Sequence, residues 1–172
     1  MILVTPLSAV EETIRRFSPS HLVTLLSPEH MIETPEGFDP ARHLRLSVND
    51  VAETSAGDTP PAPDHVDQLL RFGRDWEARA PILVHCWAGI SRSTAAAYIL
   101  LCDRLGPGSE QKLALELRAR APHAFPNPLL VSLADTALRR DGRMVEAIRA
   151  IGRGRIVAEG VRVELPLAFE DR

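Results

Sequence analysis

This chain is short of cysteine, of tyrosine and of long apolar runs. Among its 172 residues there are two cysteines, Cys86 and Cys102, and one tyrosine, Tyr98. Two cysteines are too few for a disulfide framework and they lack metal-ligand spacing, so a stapled secreted domain and a zinc site are both excluded. A reducing compartment suits both thiols. The longest apolar run, residues 95–102, is eight residues, against the roughly 20 that a membrane helix needs. Residues 1–7 carry no basic segment ahead of an apolar core, so neither a signal peptide nor a membrane span is expected, and the expected location is cytoplasmic. With a net charge of −3 and basic residues spread along the chain, there is no nucleic-acid footprint.

What is present is enough for one globular domain, since 45% of the residues are hydrophobic and 25% charged, a balance that buries a real core at this length. Residues 1–4 read as a first strand. Ser8 with Glu11 forms a capping box for a helix to Phe17. Residues 21–26 form a β-rich apolar run, residues 27–40 a proline- and acid-rich surface loop, and residues 43–48 an alternating strand. Residues 51–63 form another loop. Residues 64–79 place Val66, Leu69, Leu70, Phe72 and Trp76 mostly on one helical face. Further helices are expected over 93–105, 110–120, 128–140 with Asn127 as N-cap, and 142–151. The tail is expected to fold as a hairpin, 155–158 with 161–165, turning at Glu159-Gly160. No repeat and no linker divides the chain, so residues 1–172 form a single domain. Strands alternating with helices predict an α/β sheet covered on both faces, with ligands at the carboxyl ends of its strands.

The most informative segment is Val84-His85-Cys86-Trp87-Ala88-Gly89-Ile90-Ser91-Arg92-Ser93. It runs from an apolar strand through a tight loop into a helix. A loop that enters a helix N-terminus aims backbone N–H groups and the positive end of the helix dipole at one point, a ready site for phosphate. A cysteine in that field beside Arg92 is favoured as the thiolate, the nucleophilic form. The planar guanidinium of Arg92 can grip two phosphoryl oxygens at once. Gly89 lets the backbone approach the ligand closely, and Ser93 can hydrogen-bond to the sulfur and ease its departure.

This run resembles the signature His-Cys-x5-Arg-Ser/Thr of the cysteine-dependent protein tyrosine phosphatase superfamily, and Ala-Gly-Ile-Ser-Arg-Ser is closest to its dual-specificity branch. The resemblance extends over residues 22–138, where Arg120, Ala121-Pro122 and Pro126-Asn127 also fit the branch. It does not account for residues 27–40 or for the tail after Arg140. It implies a protein tyrosine phosphatase-like fold, a central and mostly parallel sheet flanked by helices on both faces. It also implies that Cys86 attacks phosphorus and that residues 87–92 (Trp87, Ala88, Gly89, Ile90, Ser91, Arg92) cradle the phosphoryl oxygens. His85 then supports the loop from a buried position.

A leaving oxygen needs a proton as its bond to phosphorus breaks, so a carboxylic acid is required on a neighbouring loop. The resemblance places an aspartate upstream of the cysteine, just after a strand. Asp50 lies 36 residues before Cys86, directly after the strand 43–48, and is the first choice. Asp58 and Asp64 flank the same loop, but turn and helix-cap duties account for both. Asn127 is read as a helix cap that also braces the nearby loop. Trp87 faces outward, where it either walls the pocket or simply packs. Cys102 falls in an apolar helix and belongs to the core.

The expected chemistry is therefore hydrolysis of a phosphomonoester through a phosphocysteine, without metal or cofactor. The substrate is a phosphorylated protein or a small phosphomonoester. The loop interior holds no lysine or arginine, which argues against polyanionic inositol lipids, and residues 27–42 show no aromatic phosphotyrosine-recognition motif. Two other classes share parts of this pattern: a rhodanese or arsenate reductase-like cysteine enzyme, and a non-catalytic phosphoprotein-binding module on the same fold.

Overall fold

The computed structural model describes residues 1–51 and 57–168. Among these residues five strands form one sheet: β1 (Ile2–Pro6), β2 (His21–Leu26), β3 (His43–Ser47), β4 (Ile82–Cys86) and β5 (Val163–Leu165), in the order β3-β2-β4-β1-β5. The first four are mutually parallel and β5 runs antiparallel to β1. Strands β1 and β4 are buried along their whole length, which is why they read as continuous apolar runs and not as alternating ones.

The period of two still decides which face each side chain joins. Leu3, Leu22 and Leu83 pack with Val10 of α1 (Val10–Phe17) on one face. On the other, Ile2, Val4, Val23, Ile82 and Val84 meet a bundle of five helices. These are α2 (Pro63–Asp75), α3 (Arg92–Leu105), α4 (Glu110–Arg120), α5 (Pro128–Ala137) and α6 (Arg143–Ala150). The central helix α3 is buried continuously from Arg92 to Cys102. Its Tyr98 hydroxyl donates to the carbonyl of Glu110 at 3.1 Å, satisfying the one polar atom that this ring carries into the core. The α/β class and the two-sided covering follow the sequence expectation.

Three local expectations are corrected. Helix α1 begins at Val10 after a short 3-10 turn, and the Ser8 hydroxyl, expected as its cap, donates instead to Glu159 Oε1 at 2.7 Å. Helix α2 starts one residue earlier than expected, with Asp64 in its first turn and not capping it, and stops at Asp75. There Trp76 swings into the core, 2% exposed, with its Nε1 donating to Ala80 O. The hairpin expected over 155–165 does not form. Only Val163–Leu165 is a strand, and it pairs with β1, Val4 opposite Val163 and Ile2 opposite Leu165. The open edge of β1 offers backbone partners and deep burial at once, Val163 being 3% and Leu165 0% exposed. A two-stranded ribbon on the surface offers little of the second.

Candidate active site

Strand β4 ends on Cys86, which is 1% exposed. The chain then turns through residues 87–91 into α3, whose first two residues are Arg92 and Ser93. The carbonyls of this loop are tied to its surroundings. Trp87 O accepts from Leu7 N (3.1 Å), Ala88 O from Gly160 N (2.8 Å), Ile90 O from Phe125 N (2.9 Å) and Ser91 O from Asn127 N (3.3 Å). Because C=O and the following N–H point in opposite directions across a planar peptide, outward carbonyls turn the next amides toward the loop centre. Such a ring of inward donors is suited to hold an oxyanion. Gly89 sits at φ +69°, and a Cβ there would lie 2.7 Å from Pro6 N, so both conformation and space demand glycine.

Arg92 is 6% exposed. Its Nη1 donates to Val48 O at 2.8 Å, which pins the guanidinium, while its buried Nε has no hydrogen-bond partner among the described residues. A buried donor without a hydrogen bond is costly, and beside such a ring of amides it is suited to an oxygen from outside. Ser93 Oγ lies 3.1 Å from Cys86 Sγ, placed to donate to a thiolate.

Asp50 follows β3 and reaches this loop from across the sheet. Its Oδ1 accepts from Ser91 Oγ at 2.6 Å and from Asn127 Nδ2 at 2.9 Å, and its Oδ2 stands 3.9 Å from Arg92 Nε. Asn127 serves two structures at once. Its Oδ1 caps α5 by accepting from Leu130 N at 3.0 Å, while Nδ2 also donates to Val51 O. Among the described residues, Asp58 and Asp64 make no hydrogen bond or ion pair to the signature loop. Cys102 is buried in the core, its thiol pushed up to about 12 chiefly by burial. Trp87 is 53% exposed and meets His30 of the 27–40 loop edge-on, ring centroids 4.9 Å apart.

His85 is fully buried behind the loop, with Nε2 2.6 Å from Thr24 Oγ1. The same hydroxyl lies 2.8 Å from His43 Nε2, and His43 Nδ1 is 3.0 Å from Thr34 Oγ1. A chain of hydroxyls and imidazoles thus crosses three strands to the residue before Cys86. Burial lowers both imidazoles to about 4, so both are neutral at pH 7.

With this geometry in place, similarity to known proteins carries weight. Over 106 residues, 58% of the chain, it is 33% identical to dual specificity protein phosphatase 15 of Mus musculus. Over that region the chain is similar to the dual-specificity branch of the protein tyrosine phosphatase superfamily. The matched region spans 41% of that mouse protein. No family model matches. In fold, the crystal structure of DUSP15 superposes with a TM-score of 0.60 at 19% identity, covering 87% of this chain and 89% of that one. A human tyrosine phosphatase-like serine/threonine/tyrosine-interacting protein gives 0.63 at 16%, covering 79% and 89%. The likeness therefore extends to the fold around the signature.

Sequence reading missed several supports of this dual-specificity-like site. Thr24, a polar residue inside an otherwise apolar buried strand, was the available signal, since such a group needs a partner in the core. Val48 acts through its carbonyl, which no side-chain pattern reveals. Gly160 braces Ala88, and a Cβ on it would come within 2.6 Å of His123 Nε2. Arg118 ties the 121–127 segment to the end of α6 by donating to the carbonyls of Pro122, Ala124 and Gly152.

Proposed function

We propose that this chain is a phosphomonoester hydrolase of the dual-specificity type, acting in the cytoplasm on phosphorylated protein or a small phosphomonoester. The Cys86 thiolate attacks phosphorus, and the bond from phosphorus to the substrate oxygen breaks. The loop amides and Arg92 hold the phosphoryl oxygens through this step, which is electrostatic stabilisation by donors already in position. Asp50 gives its proton to the departing oxygen. In the second step Asp50, now a carboxylate, takes a proton from water as that water attacks phosphorus. The sulfur–phosphorus bond breaks, and Ser93 stabilises the returning thiolate by donating to it.

One observation carries this reading: a carboxylate from the segment after β3 is held over the signature loop by Ser91 and Asn127, with its second oxygen on the Arg92 side. A loop that only bound an oxyanion would gain nothing from a negative charge fixed beside it. The test is turnover of p-nitrophenyl phosphate together with mass spectrometry of acid-quenched protein. Wild type is expected to turn over and to carry one phosphate on Cys86, and Cys86→Ser to do neither. Absence of turnover in folded wild type, or turnover that survives Cys86→Ser, overturns it.

A further inference from the structure

Beside the signature loop the surface opens into two recesses with Phe125 between them. The larger, about 290 Å³, lies between the 125–128 segment, α5 and α6, and is walled by Val131, Val145 and Ile148. The smaller, about 150 Å³, is walled by Ile90 of the signature loop and by Ile156 and Val157 of the tail. Phe125 lines both and is 44% exposed, and its backbone N–H donates to Ile90 O at 2.9 Å. The recesses are thus continuous with the rim of the phosphate site. Two residues beyond Phe125, Asn127 holds Asp50.

The rims of these apolar recesses are cationic. Arg149 lines the larger, Arg155 the smaller and Arg153 both, with the Arg153 guanidinium 5.5 Å from the Phe125 ring centroid. Among the described residues none of the three is in an ion pair, and no carboxylate lines either recess. In a chain of net charge −3 this is a local reversal of sign. Apolar floors with cationic rims are complementary to a peptide that carries an apolar side chain among carboxylates. Recesses of about 290 and 150 Å³ are each of a size to accept a single side chain.

We propose that this double recess is a substrate-docking site for acidic segments of phosphoproteins. With the phosphorylated residue in the signature loop, the flanking chain crosses Ile90 and Phe125 and lays an apolar side chain into a recess. Its acidic neighbours meet Arg149, Arg153 and Arg155. The proposal rests on the phosphatase reading and adds a substrate class to it. Burial of one apolar side chain with two rim charge pairs sets the expected preference on the order of 10-fold.

The probes are a phosphotyrosine peptide flanked on each side by Glu-Leu-Glu and a control flanked by Gly-Ser-Gly. Wild type should show about 10-fold higher kcat/KM for the acidic peptide. In Arg149→Ala/Arg153→Ala, and separately in Val145→Ser, the ratio of the two peptides' kcat/KM should fall toward one. Binding of the fluorescein-labelled peptides to Cys86→Ser, read by anisotropy, should show the same preference without turnover. Equal values for both peptides in wild type and in Cys86→Ser overturn the docking site while leaving the phosphatase intact. Preference in binding without any turnover by wild type retains the docking site and overturns the hydrolase. Sedimentation with vesicles of four parts phosphatidylcholine to one part phosphatidylserine that depends on Arg149 and Arg153, with no peptide preference, assigns the patch to membranes and also overturns it.

Discussion

Asn127 Nδ2 donates to Asp50 Oδ1 at 2.9 Å across 77 residues of sequence, while the same side chain caps α5. The helix start and the carboxylate are therefore set by one group. A general acid matters most when the leaving oxygen is basic, and such catalysis contributes typically 10²–10⁴-fold. Asp50→Asn should lower kcat/KM on an alkyl phosphate by about that factor and much less on an activated aryl phosphate. Asn127→Asp keeps a cap but sets a second carboxylate against Asp50, and should show the same leaving-group pattern more weakly. Asp58→Asn and Asp64→Asn should show none of it. A leaving-group series measured for the four variants decides the assignment.

The hydroxyl shared by His43 and His85 gives a pH dependence. Both imidazoles sit at about 4 in the fold, against about 6.5 in an unfolded chain. Between these values the unfolded chain binds more protons, so stability rises with pH there. Their contribution is complete above about pH 6.5 and is lost as pH falls toward 4. The slope of Tm against pH across this window should be shallower in His43→Gln, which removes one of the two groups. Equal slopes in wild type and variant would show that other residues govern the acid limb.

Thr24→Val removes the one hydroxyl that both imidazoles use. A buried polar group left without a partner costs about 1–3 kcal/mol, so Tm should drop even at pH 8, where protonation plays no part. Thr24→Ser keeps the oxygen and should recover most of the loss. Because His85 precedes Cys86, the proposed nucleophile, kcat should fall in Thr24→Val and recover in Thr24→Ser. Unchanged stability in Thr24→Val would show that the bridge contributes nothing.

How much of this was legible in the sequence follows from how far each contact reaches. Cys86, Arg92 and Ser93 lie in one short run with a strand before and a helix after, and local pattern suffices for such a loop. Asp50 was legible as an acid placed just after a strand, and Asn127 as a cap before Pro128. The bridge from His43 through Thr24 to His85 joins residues from three strands, and only the order β3-β2-β4 brings them together. The tail misled for a physical reason. Glu159-Gly160 has the composition of a hairpin turn, yet Gly160 is buried against Ala88 and His123 where no side chain fits. Composition cannot tell a glycine that turns the chain from one that admits a neighbour.

That reading of Gly160 is itself testable. Its N–H is the donor to Ala88 O, and the space where a Cβ would go is already filled by His123. Gly160→Ala should raise the KM for an aryl phosphate by disturbing the loop amides, with a lower Tm. Gly160→Ala with His123→Ala makes room for the added methyl and should restore part of both. Failure of the double variant to recover either quantity would place the role of Gly160 elsewhere.

In the proposed mechanism Ser93 separates the two chemical steps. Its hydroxyl, 3.1 Å from Cys86 Sγ, has little to stabilise while sulfur carries phosphorus and much when the thiolate returns. Hydrogen bonds to charged groups contribute about 1.5–3 kcal/mol, so Ser93→Ala should slow phosphoenzyme breakdown by roughly 10- to 100-fold. Formation of the phosphoenzyme should slow less, because the thiolate is also the starting nucleophile and becomes more reactive as its hydrogen bond is lost. Rapid mixing with p-nitrophenyl phosphate should then show a burst of p-nitrophenol close to one equivalent per Cys86, followed by a slow steady rate. A variant with no burst and a wild-type steady rate would assign Ser93 to packing at the start of α3 alone.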